Sequence, residues 1–338
     1  MGEASLPSQV RAASMVAPSN PSTSAAPDQR VKSVLCIGVA VYDQIFALDE
    51  IPQRPTKIFA SNFAATVGGP AANAAITVSR QGGQATLWAR IGADMQGDRI
   101  VADLASNGVD VSCVRRVEGA RSGTSAVAVS NDGERMLLVF ADPTLDADPS
   151  WLPLDEVARF DAVLADVRWP AAARLVMAKA RELGKPVVLD ADLTSDKTAL
   201  SELIPLATHV LFSEPALEQV AGSDGSIRDR LGFVYAKGAH AVVGVTLGEK
   251  GCAWLDRSGY HEEPGVQIVA IDTLAAGDVF HGAYALATAR ALPEAESVRF
   301  ANLVAAVKCT QWGGGSTIPT TDEVETFARE YNSRPQDI

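Results

Sequence analysis

The chain has 338 residues, 47% hydrophobic and 21% charged, with 29 Lys and Arg against 41 Asp and Glu for a formal charge of −12. That length and balance suit one large α/β domain with an appendage, or two ordinary domains, around a sizeable core. An acidic chain without a basic stripe is a poor match for nucleic acid or an anionic membrane, so phosphate chemistry would have to use backbone dipoles and a few placed cations.

Residues 1 to 30 are rich in Ser, Ala and Pro. They read as a disordered extension, with neither the apolar stretch of a signal peptide nor the arginine-rich pattern of a transit peptide. No apolar run is long enough to span a bilayer. Cys36, Cys113, Cys252 and Cys309 lie far apart, with no metal-ligand spacing, and predict buried thiols in a reduced, cytoplasmic protein. The four histidines form no metal motif.

The ordered domain is expected over 31–338. It opens with a buried strand at Val31-Lys32-Ser33-Val34-Leu35-Cys36-Ile37, ending in Gly38. Residues 71 to 82 are small and helix-compatible, 86 to 91 read as a strand, and 98 to 107 as a helix stopped by Gly108. Further strands fall at 162–165, 186–190, 209–212 and 241–246, with a helix over 171–183 ended by Gly184. Apolar strands alternating with helices predict a mostly parallel sheet covered on both faces, with binding groups at its carboxyl edge.

Two stretches break that rhythm. Residues from about 45 to 66 and from about 122 to 140 read as β without helices, the second as a hairpin turning at Asn131-Asp132-Gly133. Inserted strand pairs of this kind either pack together as a small lid or extend the main sheet.

The segment richest in chemistry is Ile271-Asp272-Thr273-Leu274-Ala275-Ala276-Gly277-Asp278-Val279-Phe280. Small residues run into a helix start, so the amides of Ala276, Gly277 and Asp278 can face an anion at the positive end of the helix dipole. A carboxylate there can take a proton from an attacking hydroxyl; the alternative is that Asp278 only caps the helix.

Asp272-Thr273-Leu274-Ala275-Ala276-Gly277-Asp278 resembles the C-terminal motif of the ribokinase-like (PfkB) carbohydrate kinases. Gly68-Gly69-Pro70-Ala71-Ala72-Asn73-Ala74-Ala75 resembles their N-terminal motif, and Gly92-Ala93-Asp94-Met95-Gln96-Gly97 their Gly-x-Asp-x-x-Gly turn, in which we read Asp94 and Gly97 as a capped turn. The resemblance covers residues 31 to 320. It implies a ribokinase-like α/β fold with a β lid, ATP and Mg2+ as cofactors, and Asp278 as catalytic base beside Gly277 and Ala276. It assigns Asp43, Gly69 and Asn73 to the sugar, and Thr246, Gly248, Gly251 and Asn302 to the nucleotide. The carbonyls of Asp272 and Leu274, with the 313–316 loop, resemble a monovalent-cation (K+) site.

The family often has Asn-x-x-Glu near the metal waters, whereas this chain has Ser213-Glu214-Pro215-Ala216. Glu214 in that stretch could assist Mg2+ through water. Short likenesses, among them Ala165-Asp166-Val167-Arg168-Trp169 and Lys308-Cys309-Thr310, point to the bacterial 6-deoxy-6-sulfofructose kinases, where Lys57 and Arg168 would meet the sulfonate. Val139 stands where that branch has Asn, which leaves fructose or another ketose open. A nucleoside kinase would need a base clamp drawn from Tyr42, Phe46, Phe59 and Phe63, and a non-catalytic homologue would agree with the altered Ser213 and Ala216. Exposed lid edges imply a homodimer.

Overall fold

The computed structural model describes residues 30–131, 134–145 and 148–333. The expected extension falls outside these residues up to position 29, as do Asp132 and Gly133 of the hairpin turn.

The first half of the chain runs β1 (Ser33–Ile37), β2 (Val41–Leu48), β3 (Asn62–Gly68), α1 (Pro70–Arg80), β4 (Gln84–Gly92) and α2 (Met95–Ser106). It continues through β5 (Val109–Asp110), β6 (Val114–Val117), β7 (Gly123–Ser130), β8 (Arg135–Phe140) and β9 (Ala162–Asp166). The second half runs α3 (Pro170–Glu182), β10 (Val187–Ala191), α4 (Lys197–Leu203), β11 (His209–Ser213), α5 (Glu214–Ala221), α6 (Ile227–Tyr235) and β12 (Val242–Thr246). β13 (Cys252–Asp256), β14 (Gly259–Glu263), α7 (Ala276–Ala289), α8 (Glu294–Cys309) and α9 (Thr321–Ser333) complete it.

The main sheet has the order β14-β13-β12-β11-β10-β9-β1-β4-β5, with β6 also pairing β4. It is parallel except for the antiparallel β12–β13 and β13–β14 pairs. The alternation within β1 shows why both faces are covered. Val34 and Cys36 enter the core beneath α1, α7 and α8, while Leu35 and Ile37 enter the core on the α3 side. Each such fully buried aliphatic side chain contributes about 1.5–3 kcal/mol, so a strand apolar on both faces is stable only at the centre of such a sandwich.

After Ile37 the chain leaves this sheet. β2, β3, β7 and β8 form a separate four-stranded sheet of order β3-β2-β7-β8. β2 runs antiparallel to β3 and parallel to β7, and β8 closes antiparallel on β7. Extension of the main sheet, the alternative for these strands, is therefore not what forms. The first of them starts at Val41, earlier than the expected position 45, so Asp43 belongs to the small sheet. Among the described residues no helix is long and apolar enough to cross a membrane.

Candidate active site at the carboxyl edge of the sheet

The parallel strands β9, β10, β11 and β12 end in or beside Asp166, Asp190, Ser213 and Thr246, one polar residue per strand along a single edge. Helices α1 and α7 cover the inner part of that edge. A Cβ on Gly282 of α7 would lie 2.6 Å from the Ala74 carbonyl of α1, so a glycine is what lets the two backbones touch. That approach brings Asn73 to Asp278, whose Oδ2 accepts a 2.7 Å hydrogen bond from Asn73 Nδ2.

Asp278 is half-buried in the first turn of α7, behind Ala275, which takes a left-handed φ of 66°. Nothing lies within 4 Å of the point where a Gly277 Cβ would stand. The helix N-terminus therefore opens onto free space, as an anion site requires. Burial and the neighbouring Asp190 raise the Asp278 pKa well above the ordinary carboxylate value; Asn73 and His281 oppose that, and Asp192 adds to it.

His281, one turn along α7, is buried with Nδ1 3.3 Å from Asp190 Oδ1, an ion-pair distance without hydrogen-bond alignment. Burial disfavours its charge, but Asp190, Asp278 and Asp192 outweigh that and raise its pKa. A carboxylate of raised basicity next to an open row of amides can accept a proton at neutral pH while an anion is held alongside.

Opposite this corner stands the small sheet. Thr66, Asp43, Ser125 and Val139 lie in one cross-strand row. Ser125 Oγ donates to Asp43, which is buried and has its pKa raised by that burial. A Cβ on Gly68 would collide with the Asp43 carboxylate, and Gly69, at φ 98°, is the N-cap of α1. The double glycine thus delivers Asn73 while leaving room for Asp43.

Asp166 ties these pieces together. Its Oδ2 accepts from Val39 N at 2.8 Å and Ala71 N at 3.2 Å, and its Oδ1 from Arg168 N at 2.8 Å. Burial is the main reason its pKa is raised to about 6.

Asp272 plays the same part under the turn. Its carboxylate accepts from Leu274 N, Gly313 N and Gly314 N at 2.8, 3.0 and 2.8 Å. Burial works against that charge, yet Lys308 and the amides hold its pKa below the ordinary value. The Asp272 carbonyl, expected as a ligand to a monovalent cation, instead accepts from the buried Lys308 Nζ at 2.8 Å.

Farther along the edge, Thr246 donates to the Phe212 carbonyl at 3.3 Å, Gly248 and Gly251 frame the short turn after β12, and Asn302 of α8 reaches the Pro264 carbonyl at 3.4 Å. These four residues therefore border one region, on the β12 side. Glu214 is exposed at the start of α5, next to Thr246 through the Ser213–Thr246 pairing. Asp94 caps α2 by accepting from Gly97 N at 2.8 Å. Lys57 and Arg168 have separate partners. Lys57 lies over the Phe59 ring at 5.4 Å, and Arg168 pairs with Asp192 at 2.9 Å.

Sequence reasoning did not single out Ser125, Asp190 or Lys308 as functional. Asp190 had a signal, an acidic residue closing an apolar strand; the other two depend on tertiary pairing.

Residues 31–321 match the profile of the pfkB family carbohydrate kinases. The chain is similar to fructokinase-1 of Zea mays, 30% identical over 282 residues, which cover 76% of this chain and 86% of that one. It is also similar to the ribokinase of Bacillus subtilis, 24% identical over 87% of this chain and 99% of that one. Among solved structures, one from Agrobacterium tumefaciens provisionally described as a ribokinase matches with a TM-score of 0.86 and 39% identity over 90% of this chain and all of that one. The ribokinase of Arabidopsis thaliana complexed with ribose and ATP shares the fold at a TM-score of 0.76 and 22% identity, over 90% of this chain and 100% of that one.

Proposed function

Because the chain belongs to the pfkB family of carbohydrate kinases, with a ribokinase-like fold, we propose that it transfers the γ-phosphoryl group of ATP to a primary hydroxyl of a ketohexose. The observation that carries this reading is the corner where Asn73 holds Asp278 beside an open helix N-terminus.

Asp278 takes the proton of the sugar hydroxyl as its oxygen bonds to the γ-phosphorus. The bond from phosphorus to the bridging oxygen breaks, and ADP leaves with that electron pair. The amides of Ala276, Gly277 and Asp278 hold the transferring group. Asp43, Gly69 and Asn73 face the sugar, Asn73 offering both an amide donor and an acceptor. Thr246, Gly248, Gly251 and Asn302 border the nucleotide. The small sheet acts as a lid that keeps water from the phosphoryl group.

No group of three or more His, Cys, Asp or Glu among the described residues could hold a metal ion by itself. Mg2+ would therefore take its ligands mainly from the nucleotide and water, with Glu214 at the edge of its shell, and would neutralise phosphate charge.

Fructose is the favoured ketose. Val139 puts an apolar side chain in the Asp43 row, and the partly exposed Arg168 already has Asp192 as partner. The second reading, 6-deoxy-6-sulfofructose, draws on that same arginine, which an anionic substituent could capture from Asp192. ATP consumption measured over fructose, 6-deoxy-6-sulfofructose, tagatose, ribose and adenosine decides between them. Turnover of ribose or adenosine alone, or of none, sinks the ketose proposal.

We also propose a homodimer built through the outer face of the small sheet, where Phe63 and Leu138 are exposed. Light scattering should give twice the 35.4 kDa chain mass. A monomer at micromolar concentration rules that out.

A further inference from the structure

Lys308 is wholly buried in the last turn of α8, and the sugar and nucleotide regions described above do not use it. Its ammonium donates to the Asp272 carbonyl at 2.8 Å and stands 3.5 Å from Asp272 Oδ2. The Asp272 carboxylate in turn holds Leu274 on one side and Gly313 and Gly314 on the other. Leu274 leads directly into Ala275 and the amides at the start of α7. The ammonium therefore lies under the turn that presents those amides.

Burial works against the Lys308 charge and lowers its pKa, while Asp272 favours the charge and Arg135 opposes it, so a second cation beside it would meet repulsion from two positive groups. The carboxyl end of α8 supplies its negative dipole, and Asp272 supplies a full negative charge. Arg135 of the small sheet donates to Thr273 Oγ1 at 2.7 Å, which puts another positive charge over the same turn. A free monovalent ion at the Asp272 carbonyl would have to displace an ammonium with no route to solvent. The backbone site and a K+ ion do not fit together in this chain.

We propose that Lys308 is a tethered monovalent cation: a positioning residue that fixes the anion-binding turn and makes phosphoryl transfer independent of added K+. The proposal rests on the kinase reading, but binding of a nucleotide analogue tests it separately from the sugar. Turnover and the affinity for the non-hydrolysable ATP analogue AMP-PNP with Mg2+ are measured in N-methylglucamine chloride, with and without KCl, NaCl or NH4Cl.

For the unaltered chain we expect changes within about twofold. A rise of about tenfold in either quantity with KCl overturns the proposal, whatever sugar is used. Lys308→Ala removes the ammonium and leaves a space. Its kcat should fall by about 100-fold and recover at least about fivefold in NH4Cl or KCl, but not in N-methylglucamine. Lys308→Met fills the space without charge and should show the fall without the recovery. Full activity in either variant, or a folded Lys308→Ala that no cation restores, defeats the tethered-cation role. If both variants fail to fold, the salt response of the unaltered chain still decides.

Discussion

The two walls of the cleft are built by opposite means. The α7 turn is wired from beneath by buried groups: Asp272 accepts three amides, Lys308 neutralises it, and Asp278 is fixed by Asn73. The small sheet touches that turn through one compact apolar cluster, Ile45, Val127, Val129 and Leu274, and through the exposed Arg135–Thr273 hydrogen bond. Met136, Leu137, Leu138 and Val139 of β8 stay largely exposed. The β8 edge is thus the loosest part of that wall, since β2 and β3 are anchored through Tyr42 and Val67 in the main core, whereas the charged turn is tied by its buried bonds. On the proposed mechanism, the tightly tied turn is the one that holds the phosphoryl group, and the more exposed β8 edge borders the sugar.

The most direct way to break this contrast is at Asp278. Asp278→Asn should lower kcat by about 1000-fold while AMP-PNP still binds. The raised folded-state pKa also fixes a sign for stability: the folded carboxyl favours its proton, so ionising it costs stability as pH rises through that pKa. The Asn variant should therefore melt at the same or a higher temperature than the parent at pH 8. A clear drop in melting temperature would show that the charge is needed structurally.

Gly277→Ala should come next, with about a 100-fold loss of kcat, because the added methyl enters the space proposed for the phosphoryl group. It meets no protein atom and sits in a helix, so stability should hold or rise by up to about 1 kcal/mol. Normal turnover would mean that the open space is not the anion site.

On the looser wall the effects should be smaller and appear in KM. Ser125→Ala removes the hydroxyl that holds Asp43, and should raise the sugar KM about fivefold with kcat little changed. A matching fall in kcat with KM unchanged would put Asp43 in the chemistry instead.

The smallest shift belongs to the electrostatics behind the base. Since His281 lowers the Asp278 pKa and Asp190 raises it, His281→Gln should move the acid limb of kcat/KM to higher pH. A limb that stays in place, or moves to lower pH, removes His281 from the titration.

Much of the rigid wall could be read from the sequence, because its chemistry is local. A run of small residues leads directly into a helix start within Asp272–Asp278, and that order alone places amides and carboxylate together. The looser wall was less readable. The break at Gly38 does not announce a change of sheet, so Asp43 reads only as a residue following the first strand. Its row with Ser125 and Val139 depends on a parallel pairing across 82 residues. Lys308 was legible only as part of a short motif. Lysines are rarely buried, and nothing nearby in the sequence foretells that its charge ends beneath Asp272.

Asp166 carries a consequence for how the protein is made. The carboxylate that stitches Val39 and Ala71 arrives 127 and 95 residues after them, on the strand that completes the neighbourhood of β1. A nascent chain that has emerged only as far as β8 lacks the knot that seats the Gly68-Gly69 turn against the first strand. The cleft thus assembles late in synthesis, through long-range closure of the kind that slows folding, and an early-truncated fragment would present two apolar sheets with no pocket between them.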